Sequence, residues 1–181
     1  MRPGLRKAAL TAHVTTSVGW LGAVAVFLVL AITGMTSHDS TTVRGAYLAM
    51  EVAAWYVVVP LAFSSLLTGL VSSLGTVWGL FRYYWVIAKL LLVLVATGVL
   101  LAQLTPISRL AELAATAPPT ATDIPGARES LIVHATGGMV VLILTTVLAV
   151  YKPPGLTGYG QRRQAGRRTE QRPPSPAPTA G

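Results

Sequence analysis

Four long runs of apolar residues, parted by shorter stretches rich in Ser, Thr, Pro, Gly and charge, organise this chain of 181 residues. A helix that crosses a bilayer needs about 20 mostly apolar residues, because each rises about 1.5 Å and the hydrocarbon core is about 30 Å thick. The runs from about Leu10 to Gly34, Ala46 to Leu70, Arg82 to Thr105 and Glu129 to Tyr151 all meet that length. Pro60 is expected to break the second run in its middle, since proline donates no backbone hydrogen bond. Between the last two runs, Thr105–Ala127 with its APPTATDIPGA stretch reads as an irregular loop. From Pro153 onward Pro, Gly, Arg and Gln take over and hydrophobes nearly vanish, which predicts a disordered tail. The expected fold is all-α. A four-helix integral membrane bundle fills residues 1–152, and a Pro/Arg-rich tail fills residues 153–181.

Composition strengthens that picture. Charged residues make up 11% of the chain and hydrophobic ones 52%, where soluble domains carry about 25% charge. The first run is much longer than the roughly 7–15 apolar residues of a signal-peptide core, so an uncleaved helix is expected. A formal charge of +8 would by itself suggest a nucleic-acid binder, but its distribution excludes that reading. Arg2, Arg6 and Lys7 precede the first run, Arg82 opens the third, and Lys152, Arg162, Arg163, Arg167, Arg168 and Arg172 follow the fourth. The opposite loops hold only Arg44, Arg109 and Arg128, diluted by Asp39, Glu112 and Asp123. By the positive-inside rule, both termini of a plasma-membrane protein would then lie in the cytoplasm. The expected partners are the bilayer itself and, within it, a second copy or another membrane protein.

In a bilayer the ionisable exceptions carry the information, because charge is costly there and normally faces the bundle interior. His13, Glu51, Lys89 and His134 are those exceptions. Helical rise sorts them into an inner pair near the termini, His13 and Lys89, and an outer pair, Glu51 and His134. His13, Thr16, Ser17 and Trp20 share one helix face, as do Arg82, Trp85 and Lys89. Two readings stand side by side for the inner pair: a packing histidine with a snorkelling lysine, or a ligand site. In the outer pair, a Glu51–His134 hydrogen bond would fix the imidazole tautomer, with Gly137 and Gly138 admitting a neighbouring helix or a flat cofactor. His13 and His134 lie roughly 20 Å apart along the membrane normal at 1.5 Å per residue, so one haem iron could not take both. A haem held by a single histidine is compatible with either level. Met35, His38 and Asp39 in the first outer loop offer thioether, imidazole and carboxylate, a set that suits copper. The chain has no cysteine, which removes thiolate chemistry, and it shows no hydrolase elbow, phosphate loop or paired-carboxylate motif.

The spacing His13-x6-Trp20 in the first run, with Trp85-x3-Lys89-Leu90 in the third, resembles HemJ-type protoporphyrinogen oxidases and, more loosely, CopD copper-resistance membrane proteins. Residues 47–93 and the exit VYKPPGLTGYG look like an actinobacterial family of four-span membrane proteins without an assigned activity, within the same broad group. The HemJ resemblance implies a haem-associated bundle with His13 as a ligand candidate and Lys89 as a partner for a propionate or substrate. In those oxidases a further histidine follows soon after the first-helix aromatic motif, where this chain has LGAVAVFLVLAITG. The sequence therefore reads first as a multi-pass membrane protein, non-catalytic or of uncharacterised activity, whose polar residues mainly organise the bundle. Haem binding and copper handling stand as the alternatives.

Overall fold

The computed structural model of the chain describes residues 2–74, 80–116, 126–151, 153, 155–158 and 160–162. It consists of helices α1 (Pro3–Thr36), α2 (Ser40–Ala53), α3 (Val59–Leu74), α4 (Tyr84–Thr116) and α5 (Ala127–Tyr151), with a π-helical segment, Ala54–Val58, joining α2 to α3. Since α2, the π segment and α3 form one rod, four helical rods result, each long and apolar enough to cross a membrane. Between 11% and 28% of each apolar window is buried inside the bundle. The remaining apolar surface faces outward and needs an apolar solvent, which identifies the chain as a multi-pass membrane protein.

The boundaries follow from local chemistry. Pro3 sits at the start of α1, where its missing N–H costs nothing. α1 ends at a three-residue turn, and Asp39 caps α2 by accepting hydrogen bonds from the Thr42 amide (2.9 Å) and hydroxyl (2.6 Å). Those two bonds hold the Asp39 carboxyl below the usual carboxylate range, the hydroxyl contributing most.

Pro60 does not break the second rod. Its ring would crowd the Tyr56 carbonyl in a regular helix, and the preceding turn widens instead, so that the Val59 amide bonds Ala54 O. One inserted π turn absorbs the proline and keeps the rod continuous.

The expected end of the third run at Thr105 is likewise overrun. α4 carries Pro106 inside it and continues to Thr116, because Ile107, Leu110, Ala111 and Ala114 form a stripe that is buried. That burial compensates the missing hydrogen bond of Pro106. Thus the first part of the expected loop is helix, and residues 117–125 lie outside the described ones.

The tail expected to be disordered from Pro153 begins with an ordered return to the bundle. The Tyr84 amide bonds Gly155 O (3.3 Å), the Thr157 amide bonds Arg82 O (3.0 Å), and the Thr157 hydroxyl donates to Phe81 O. Gly160 lies so close to Arg82 O that a Cβ there would collide with it. Lys152 and residues 163–181 lie outside the described residues.

Helix α1 packs on α2, α3 and α5, and α4 packs on α2 and α5 and more lightly on α3. The start of α1, the end of α3, the start of α4 and the end of α5 share one end of the bundle, called here the termini-bearing end. The larger buried cluster, with Phe27, Tyr47, Met50, Leu104, Leu110 and Leu131, fills the opposite end. A smaller one around Trp20, Val24, Val58, Ala62 and Leu142 fills the middle. Tyr47 locks the α1–α2 corner by donating to Gly34 O (3.1 Å), and a Cβ on Gly34 would stand 2.9 Å from the ring.

Candidate functional site

Below the middle cluster, toward the termini, the α1–α3 seam turns polar. His13 on α1 places Nδ1 3.1 Å from Ser65 O and 3.3 Å from the Thr68 hydroxyl on α3. A carbonyl only accepts, so Nδ1 carries the hydrogen and donates to it. Nε2 makes no hydrogen bond among the described residues. One turn farther in, the Ser17 and Ser65 hydroxyls bond across the seam at 2.8 Å, and Thr16 meets Thr68 at 3.3 Å. Thr68 in turn donates to Ser64 O at 2.6 Å.

Gly69 lets the imidazole lie against α3, since a Cβ there would come within 3.0 Å of its Cε1. The sequence placed Ser64, Ser65 and Thr68 merely on helix faces. Their spacing of three and four residues, matched by His13, Thr16 and Ser17 on α1, was the signal that the two stripes face each other.

Of the predicted inner pair, both members lie at the termini-bearing end, with no direct contact between them among the described residues. Lys89 on α4 lies within electrostatic reach of His13, half-buried, with Nζ 5.9 Å from the centre of the Trp85 ring. Such a cation–π contact is a favourable resting place for an ammonium group. The acidic residues among the described ones, Asp39, Glu51, Glu112 and Glu129, all lie toward the opposite end. Hydroxyls and carbonyls therefore surround His13 in place of a carboxylate.

The predicted outer pair is not formed. His134 is exposed and turns its Nδ1 back onto its own helix, to Ser130 O at 2.6 Å and the Ser130 hydroxyl at 3.1 Å. A serine at position i−4 captures the imidazole before Glu51, on another rod, can reach it. The predicted copper residues lie at the exposed α1–α2 corner. Met35 and His38 are exposed, and Asp39 is spent on the α2 cap. Among the described residues no group of three or more His, Cys, Asp or Glu is placed to hold a metal ion.

Sequence reasoning missed the open grooves at the opposite end. One of about 410 Å³ lies between α4 and α5 and includes Gln103, Arg109 and Ser130. Another, of about 360 Å³, lies on the α2 flank of α4 and includes Trp55 and Glu112. Neither includes His13 or Lys89. The Trp55 indole donates to the Ser108 hydroxyl at 3.4 Å beside the second groove. Compared with protein-family models, curated proteins and solved structures, the chain matches none.

Proposed function

We propose that the chain acts as a non-catalytic membrane bundle whose polar residues hold its helices in register, with His13 as the organising side chain. The observation that carries this reading is the Nδ1–H bridge from α1 to the Ser65 carbonyl and Thr68 hydroxyl of α3. Helices in lipid gain no hydrophobic drive from packing on each other, so interhelical hydrogen bonds and small residues select their partners. The seam supplies both. The concentration of Arg2, Arg6, Lys7, Arg82 and Arg162 at the termini-bearing end supports an orientation with both termini in the cytoplasm of a plasma membrane.

The haem reading draws support from one feature: an imidazole fixed through Nδ1 to a carbonyl leaves Nε2 as the ligating nitrogen. Gly69 packs directly on the Cε1 edge beside that nitrogen, and neither groove opens at His13. The organising reading is therefore the better supported of the two.

Unfolding and visible absorbance of the detergent-purified chain, expressed with added haem precursor, separate them. The proposal expects His13→Ala to lower the unfolding midpoint by about 2–4 °C, as a loss of about 1 kcal/mol would in a chain of this size, with no Soret band in either protein. A Soret band lost in His13→Ala would establish haem binding instead. Orientation is read separately. Because the chain lacks cysteine, Gly4→Cys should resist an impermeant thiol reagent added to intact cells, and Ser37→Cys should react.

A further inference from the structure

Beyond α5 the polypeptide turns back and binds the start of α4. Leu156 pairs with Tyr83 in a single antiparallel bridge, and the Thr157 amide bonds Arg82 O at 3.0 Å. The Thr157 side chain is the centre of this strap. Its hydroxyl donates to Phe81 O and accepts from the Gly160 amide at 3.1 Å. The Gln161 amide closes the same turn on Thr157 O at 2.9 Å, and Gly160 is buried against Arg82. Arg162, next along the turn, is exposed.

The strap shortens the tether of a cation. Arg162 follows Tyr151 by eleven residues, which when extended would span roughly 35 Å. Bound to residues 81–84, the strap instead holds Arg162 beside the first turn of α4. That turn lies at the membrane boundary, because Phe81, Tyr84 and Tyr151 expose their rings there, as interfacial aromatic residues do. Arg2, Arg6 and Lys7 are exposed at the same end, and no acidic residue among the described ones lies there. The attraction of a cation to an anionic leaflet fades within about 10 Å, so the place where Arg162 is held decides what it contributes.

We propose that the strap, residues 155–158 and 160–162, is a lipid-docking element that seats Arg162 on the anionic phospholipid headgroups of the adjoining leaflet. The exposed rings beside it assign the anion to a bilayer surface, where ring and cation are satisfied together. This seating of Arg162 is independent of the role of His13.

Native mass spectrometry of the full chain, released from nanodiscs of equal phosphatidylglycerol and phosphatidylcholine, tests this through the lipids it retains. Wild-type protein should be enriched in phosphatidylglycerol, and Arg162→Gln should lower that enrichment about fivefold, the effect of one cation at the surface. Thr157→Val removes the strap's hydroxyl and alters no charge. It should lower the enrichment by a similar factor and speed hydrogen exchange at the Tyr84 amide, which bonds Gly155 O. Thr157→Ser should retain both wild-type properties. Arg44→Gln, at the opposite end, should lower the enrichment less, and a loss there equal to that of Arg162→Gln overturns the proposal. An unchanged enrichment in Arg162→Gln or in Thr157→Val also overturns it. So does loss of the enrichment to glycerol 3-phosphate at the concentration of the lipid, which would assign the strap to a soluble anion.

Discussion

The two ends of this bundle are held by different chemistry. At the opposite end Tyr47, Met50, Leu110 and Leu131 are each almost completely buried, and four rods converge on them. At the termini-bearing end none of the largest buried side chains occurs. There α1 and α3 are joined by His13, Ser17, Ser65 and Thr68 through side-chain hydrogen bonds. Each end also seats an aromatic ring on a glycine: Tyr47 on Gly34, and His13 on Gly69. The difference teaches where shape is specified by volume and where by direction. Close packing tolerates rotation of a helix within limits of volume, whereas a 2.8 Å bond between two serine hydroxyls fixes the facing residues.

Removing volume should therefore hurt most at the opposite end. Leu110→Ala is expected to cost about 3 kcal/mol, within the range for buried large-to-small changes, measured by equilibrium unfolding in detergent micelles. The paired glycines sharpen the comparison. Gly34→Ala should cost about 2 kcal/mol, because its Cβ meets a ring whose hydroxyl is already bonded to Gly34 O. Gly69→Ala should cost about 1 kcal/mol or less, since its Cβ would press on the edge of a ring that is only part-buried, where Tyr47 is fully buried. Equal costs at the two glycines would erase the distinction between the ends.

The length of the apolar runs revealed the four rods, but not where each rod stops. Pro106 marked a helix end by its chemistry, while the stripe Ile107, Leu110, Ala111 and Ala114 behind it carried the stronger, tertiary instruction. Pro60 was visible as a disturbance, and the π turn that absorbs it was not, because that answer depends on Ala54 and Val58 being buried. Helical rise put His13 and Lys89 at the same end of the bundle, where each takes its contacts from other residues, Ser65 and Thr68 for His13 and Trp85 for Lys89. The same reasoning failed for Glu51 and His134. Rotation about the helix axis and the local claim of Ser130 decided that contact, and neither is written in depth. The α4–α5 groove was invisible for a related reason: Gln103 and Ser130 belong to different helices, and only packing makes them neighbours.

The smallest expected effect lies at the corner that joins α1 to α2. The Asp39 carboxyl is held below its ordinary range, so its stabilising contribution is fully present above the unfolded value near pH 4. That contribution is lost as pH falls through the lowered, folded value. Asp39→Asn keeps a capping oxygen and should flatten this dependence. Acid unfolding followed by circular dichroism checks it, and an unchanged acid limb in Asp39→Asn would show that the Asp39 cap does not set the acid stability of this corner.

The polar seam itself is tested most directly by a double-mutant cycle on Ser17→Ala and Ser65→Ala, the shortest side-chain bond between α1 and α3. Unfolding free energies of the wild type, both single variants and the double variant should give a favourable coupling of about 0.5–1.5 kcal/mol. A coupling indistinguishable from zero would contradict the claim that hydrogen bonds hold the termini-bearing end together.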